Sequence, residues 1–275
     1  SALTNLQLKQ LPWFGYIPFS PSTIPGCQLW LDAKDPNYNC TLPTNNTTVT
    51  SWKDKSGINN NASASSGVSW VNNGLNNMPA FSIPNSTSSA NFFSGSIAIS
   101  GATCTVFVIA KSTTSTTFAG RLIGFSNGNG VHDFNNSSFF GFLRQNNQSG
   151  SNGNGFGPYR NSTYVPNDPA TPNVPYLFET WYDGANSYAT VQQGDTSTVK
   201  SAASTGNFAI TYYTVGNNTN TTDTGGPLVG MISEILVYNT ALNAADRKKV
   251  EGYLSWKWGL QTNLPSTHPY KNSPP

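Results

Sequence analysis

The sequence predicts an all-β fold, a two-sheet antiparallel jelly-roll sandwich carrying one short C-terminal helix. Three observations lead there. Runs of strand length recur along the chain, rich in Val, Ile, Phe and Tyr, the residues that suit a pleated, half-buried surface. Between them lie Gly, Asn, Asp and Pro, which supply turn conformations. The one convincing helical pattern follows the last strand, so the strands must bury their faces against each other as packed layers.

In chain order, residues 1–26 read as an extended arm. Its four prolines oppose regular helix, and Trp13, Phe14, Tyr16 and Phe19 form an apolar cluster that needs cover. That cover is either the chain's own body or a neighbouring subunit, which makes these four the candidate assembly contacts. The body, residues 27–260, carries strands at Cys27–Asp32, Pro79–Ile83, Cys104–Lys111, Arg121–Phe125, Ser138–Arg144, Tyr176–Tyr182, Ser187–Gln193, Phe208–Gly216 and Leu228–Tyr238. Phe107 and Ile109 alternate with Val106 and Val108, as in a strand with two distinct faces. The stretch Gln145–Pro175 reads as a loop too long to be a mere connector, and such loops carry binding surfaces. The helix begins at Asn243, an N-cap, with Asp246 three residues on to meet exposed backbone N–H groups. Val250, Tyr253, Leu254 and Trp258 recur at helical spacing and Gly259 supplies the stop. Residues 261–275 follow as a Pro-rich strap.

Composition narrows the class of protein. Only 9% of the 275 residues are charged, far below the usual quarter, and Asn, Ser, Thr and Gly hydrate the surface instead. That suits an outward-facing structural or sugar-contacting protein. The net charge of +2 and the single basic cluster, Arg247–Lys248–Lys249, read as a solvated helix face and not a nucleic-acid stripe. No apolar run approaches the roughly 18 residues a membrane-spanning helix needs. Three cysteines exclude a fully paired framework; Cys27 with Cys40 is a conceivable pair, and free thiols throughout is the alternative reading favoured here.

Three segments carry a family resemblance. CQLWLDAKDPN (Cys27–Asn37) with SWKDKSG (Ser51–Gly57), YLFETWYDGANSYATVQQGD (Tyr176–Asp195) and ISEILVYNTALNAADRKKVEGYLSWKWGL (Ile232–Leu260) resemble laminin-G-like modules of the concanavalin A-like lectin/glucanase superfamily. The resemblance brackets most of the chain. It implies the jelly roll, and it implies a place among modules common in large DNA virus and bacterial surface proteins. The expected location is therefore a virion surface or the extracellular or cell surface. The expected partners are other copies, neighbouring capsid or surface proteins, and glycans.

Catalytic members of that superfamily use a Glu-x-Asp-x-x-Glu strand, whose alternation puts the acids on one face. The three glutamates here, Glu179, Glu234 and Glu251, do not form it. Glu179 and Asp183 share a strand face but sit about 13 Å apart, too far for a glycosidase pair. His132 and His268 are far apart in sequence and neither adjoins a cysteine; His268 belongs to the strap, and His132, in a loop, takes either a structural hydrogen bond or a ligand contact. The chain is therefore expected not to be an enzyme and to need no cofactor. Calcium is the one ion to weigh, because Asp32, Asp35 and Asp54 offer oxygens near one loop, though no spacing matches a defined calcium loop. Binding is the activity left. Sugars are held by aromatic rings against C–H faces and by amides against hydroxyls, which selects Trp52, Arg144, Phe156, Tyr159, Arg160, Asn161 and Tyr164 as candidate ligand contacts, with Trp70 a further loop-placed aromatic. Two functions follow: a virion or cell-surface structural component mediating assembly and glycan attachment, or a stand-alone carbohydrate-binding lectin.

Overall fold

The computed structural model describes residues 19–84, 91–113, 120–145, 155–165, 171–222 and 226–275, with the side chains of residues 143–145 excepted. The chain is all-β with a single α-helix among these residues. The strands are β1 (Cys27–Asp32), β2 (Thr47–Trp52), β3 (Ala62–Leu75), β4 (Met78–Ile83), β5 (Phe93–Gly101), β6 (Thr103–Ser112), β7 (Gly120–Ser126) and β8 (Phe140–Gln145). They continue as β9 (Gly155–Arg160), β10 (Thr163–Tyr164), β11 (Tyr176–Asp183), β12 (Asn186–Val191), β13 (Val199–Ala203), β14 (Phe208–Val215) and β15 (Gly230–Tyr238). Helix α1 spans Ala244–Lys257.

All fifteen strands belong to one hydrogen-bonded network, and the pairings between strands are antiparallel. One run reads β10-β9-β8-β7-β14-β5 and another β13-β12-β11-β6-β15, with β3 and β4 between them. Two separate sheets were expected; the ladder is instead continuous and folded over on itself. The cause lies in β3, whose Ser63 pairs with Ser94 of β5 while Ser69–Val71 pair with Ala80–Ser82 of β4. Gly67 sits between those stretches at φ +72°, a bend only glycine adopts without strain, so the strand leaves one run and enters the other.

Aromatic rings fill the space inside the fold. Phe140 of β8 and Phe208 of β14 meet Tyr182 of β11 at 4.8 and 5.1 Å between ring centroids, and Phe156 of β9 meets Phe178 of β11 at 4.2 Å. Trp52, Phe81 and Phe93 form a second cluster at 4.4–5.6 Å. In β6 the expected alternation is absent: Val106, Phe107, Val108 and Ile109 are all fully buried, because this central strand is covered on both sides.

Helix α1 folds as its sequence pattern dictates. The Asn243 side chain accepts the Asp246 N–H at 2.9 Å, and Gly259, at φ +66°, ends the helix in the left-handed region. Val250, Leu254 and Trp258 are buried beneath it. Its last turn docks through charge: Glu234, fully buried on β15, accepts N–H bonds from Trp30 and Trp258, and Lys257 bridges Glu234 at 2.8 Å to Asp32 at 2.7 Å. Gly252 leaves room for Tyr270, since a Cβ there would lie 2.7 Å from the Tyr270 Cβ. The strap thereby closes over the helix, with the Trp256 indole donating to the Tyr270 carbonyl at 2.8 Å. No helix among the described residues is long and apolar enough to cross a membrane.

Candidate functional site

Two glycines build the site. Gly124 of β7 and Gly141 of β8 are paired across the ladder, and both face the carboxylate of Asp133. A Cβ at Gly124 would lie 2.5 Å from Asp133 Oδ2, and one at Gly141 2.9 Å from it. Glycine in these strands is thus the residue that lets the following loop lie flat on the sheet. Arg121 completes the seat: its Nε donates to Asp133 Oδ2 at 3.1 Å and its Nη2 to Oδ1 at 2.8 Å, with both side chains buried. A two-pronged guanidinium–carboxylate pair of this kind fixes orientation as well as position.

The loop pinned in this way is stitched on both flanks. On one side the Ser162 N–H donates to the Phe134 carbonyl at 2.9 Å, and Arg160 Nε donates to the Ser137 carbonyl at 2.7 Å. On the other side Thr219 Oγ1 donates to the Val131 carbonyl at 2.6 Å, Thr221 Oγ1 donates to Asn129 Oδ1 at 2.9 Å, and the Gly130 N–H reaches the Thr219 carbonyl at 3.1 Å. Asn220 accepts from Thr222 Oγ1 through Oδ1 at 2.8 Å, which turns its amide nitrogen toward His132 Nε2 at 3.2 Å. His132 therefore accepts there.

These ties assemble a half-exposed aromatic surface. Phe134 and Tyr159 lie parallel, 5.2 Å apart at 5°, with Tyr164 edge-on to Tyr159 at 6.3 Å and His132 tilted against Phe134 at 5.1 Å. Asn161 is exposed at the tip of the β9–β10 hairpin, where it and Ser162 adopt φ +47° and +59°, the pattern of a type I′ turn. The stretch expected as an open loop thus contains a hairpin, and Tyr164 Oη donates back to the Gly155 carbonyl to brace it. Rings and amides here meet on one face, an arrangement able to hold a hydroxyl-rich ligand against ring surfaces.

Of the expected contacts, Tyr159, Asn161 and Tyr164 are brought together. Three others are corrected. Trp52 is 0% exposed in the aromatic core of β2, because its ring is enclosed by Phe81 and Phe93. Phe156 is buried against Phe178. Arg160 is 3% exposed, its guanidinium committed to the Ser137 and Gly206 carbonyls and seated 4.0 Å from the Phe208 ring centroid. Trp70 is likewise buried, in β3, donating to the Ala33 carbonyl at 2.9 Å. The Arg144 side chain lies outside the described residues, as do Trp13, Phe14 and Tyr16; Phe19 packs edge-on to Tyr253 of the chain's own helix at 5.7 Å. Residues missed from sequence are Phe134, the Arg121–Asp133 seat and Asn220. The only local signal for them was glycine inside two strands.

The aspartates weighed for calcium do not fit a cation. Asp32 is held by Lys55 at 3.0 Å and Lys257 at 2.7 Å, Asp35 by Lys55 at 3.4 Å, and Asp54 accepts the backbone N–H groups of Trp30, Ser56 and Asn60. Lysines stand where a metal would have to. Among the described residues no group of three metal-ligating side chains forms a site. No disulfide joins the three cysteines; Cys27 and Cys104 are buried and Cys40 is exposed.

The glutamates meet in a way the sequence did not disclose. Glu179 of β11 and Glu251 of α1 are both buried, close enough for the charge of one to act on the other. Burial first, and the charge of Glu251 second, raise Glu179 well above the ordinary range. Burial also pushes Glu251 upward, but His268 at 3.2 Å and Lys248 at 2.9 Å outweigh it and hold the group ionised. Arg247 lies 3.2 Å from Glu179 and over the Trp181 ring, and Gln192 donates to Glu251 at 2.9 Å. The pair is thus enclosed between helix, sheet and strap. Two of the three cations in the basic run turn inward to serve it.

No protein-family model and no curated protein matches this sequence. Solved structures do share its shape. The fourth domain of an extracellular arabinanase from Geobacillus stearothermophilus, solved in complex with arabinotriose, superposes with a TM-score of 0.51 at 11% identity, covering 80% of this chain and 95% of that domain. Trypanosoma rangeli sialidase in complex with sialic acid gives 0.54 at 10% identity over 85% of this chain and 33% of that one. An α-L-arabinofuranosidase mutant soaked with 4-nitrophenyl α-L-arabinofuranoside gives 0.54 at 10% identity, over 78% of this chain and 50% of that one. The chain therefore spans about a third of the sialidase and half of the arabinofuranosidase. At these identities the likeness is one of fold, that of an all-β domain.

Proposed function

We propose that this chain is a non-catalytic carbohydrate-binding domain with a lectin-like, folded-over two-layer sandwich of the concanavalin A type. Its ligand lies on the face made by His132, Phe134, Tyr159, Asn161, Tyr164 and Asn220. The observation that carries the reading is the stitched aromatic and amide surface. A loop seated by a buried ion pair and tied on both flanks offers pre-arranged rings, so little ordering is left to oppose binding. The arabinanase domain, matched over nearly its whole length and solved with arabinotriose, supports the same reading.

A non-catalytic role rests on the placement of the carboxylates. Glu179 and Glu251 are both buried beneath the helix, with Glu251 taken up by His268, Lys248 and Gln192, while a glycosidase pair stands about 5–9.5 Å apart with the substrate between. Glu234 is occupied by two indoles and Lys257. Surface display and contacts with neighbouring copies or surface proteins form the wider part of the proposal, for which the N-terminal arm is the candidate.

The test is a glycan-array screen of the intact protein beside a Phe134→Ala/Tyr159→Ala variant. Binding by the wild type that falls about tenfold or more in the variant supports the site, the loss expected of about 1.4 kcal/mol of aromatic contact. Equal binding by both proteins refutes it.

A further inference from the structure

We infer, building on that carbohydrate reading, that the face accepts uncharged oligosaccharides and discriminates against sialylated or otherwise anionic ones. Recognition of a sugar carboxylate requires a free cation, typically the planar fork of an arginine. The two described arginines beside the face are both committed. Arg121 is 2% exposed and gives two nitrogens to Asp133 beneath the loop. Arg160 donates from Nε to Ser137 and from Nη2 to Ser137 and Gly206, and reaches Ser204 Oγ through Nη1 at 3.3 Å.

The balance holds for negative charge as well. Asp133 is fully buried and neutralised by its partner. His132 Nε2 is taken up by the Asn220 amide nitrogen at 3.2 Å. Among the described residues the groups shown to a ligand are therefore rings, amides and hydroxyls: Phe134, Tyr159, Tyr164, Asn161, Asn220 and Thr221. An anionic sugar placed here would surrender its hydration with no ion pair in return. A neutral sugar loses only hydroxyl hydration, which amides and hydroxyls replace. Likeness of fold to the sialidase accordingly does not extend to its sialic acid.

Calorimetric titration of the intact protein with matched pairs, each a neutral oligosaccharide and the same core bearing terminal sialic acid, decides the point at 0.05 and 0.5 M NaCl. The core is chosen from the neutral hits of the array. The neutral member is expected to bind about tenfold tighter or more, with a Kd that moves less than about twofold between the two salt concentrations. Equal or tighter binding of the sialylated member, weakened by salt, overturns the inference while leaving carbohydrate binding intact. Loss of that binding in Arg144→Gln would then assign the cation to β8. Binding by no sugar of either kind overturns the carbohydrate reading and this inference with it.

Discussion

Removing the carboxylate beneath the loop is the sharpest perturbation of the seat. Asp133→Ala leaves the Arg121 guanidinium buried, 2% exposed, opposite a void instead of two oxygens at 2.8 and 3.1 Å. Breaking one side of a buried pair costs about 3–5 kcal/mol, because the surviving charge stays desolvated. Against a total stability of about 5–15 kcal/mol, that is a large fraction. A second variant makes the test internal. In Gly124→Ala the new Cβ sits 2.5 Å from Asp133 Oδ2, about 0.9 Å short of ordinary contact, and overpacking of this kind costs about 1–3 kcal/mol. Once Asp133 is alanine that clash is gone. The double variant should therefore be more stable than the sum of the single losses predicts, by about 1 kcal/mol or more. Urea unfolding of the four proteins measures each term. A loss below about 1 kcal/mol in Asp133→Ala, or additivity within the ~0.3–0.5 kcal/mol typical of independent sites, would refute the seat.

Three further outcomes are expected. Glu179 keeps a proton in the folded chain that the unfolded chain releases above about pH 4.3, so its stabilising contribution is complete at low pH and declines as pH rises toward its folded-state titration. Glu179→Gln holds the protonated shape permanently, so its stability relative to wild type should increase between about pH 5 and pH 8 in urea unfolding; parallel curves would contradict the raised titration of Glu179. Trp52→Ala should cost about 3–5 kcal/mol by opening a core cavity, while the folded fraction keeps its glycan affinity, as a combined unfolding and titration experiment would show. Asn243→Ala should cost about 1 kcal/mol through loss of the helix cap, read as a shift in the unfolding midpoint.

How far the sequence disclosed this molecule depended on whether the signal was local. The helix was legible at both ends because capping is local chemistry, with Asn243 bonding three residues ahead and Gly259 taking φ +66°. The apolar strands were legible for the same reason. Strands β2, β3, β5, β9, β10 and β13 were not: Ser, Thr, Asn and Gly interrupt the apolar pattern of β2, β3 and β5, Gly and Pro break that of β9, and β10 and β13 bury no side chain. That polarity also misplaced Trp52, Trp70 and Phe156, whose polar neighbours resemble loops although their rings point into the core. In the site, Tyr159, Asn161 and Tyr164 lie within one hairpin and were found together. Phe134 and His132 join them only because Asp133 crosses Gly124 and Gly141, a tertiary contact. Glu179 and Glu251 stand 72 positions apart, so weighing acids along one strand found Asp183 and missed the true partner.

Chemical-shift mapping during titration with a neutral oligosaccharide that the protein binds reports on the ligand face residue by residue. Perturbations concentrated at residues 129–134, 159–164 and 219–222 are the expected result. Shifts confined to Trp181, Tyr188 and the helix, or a bound sugar that leaves Phe134 and Tyr159 unmoved, would contradict it.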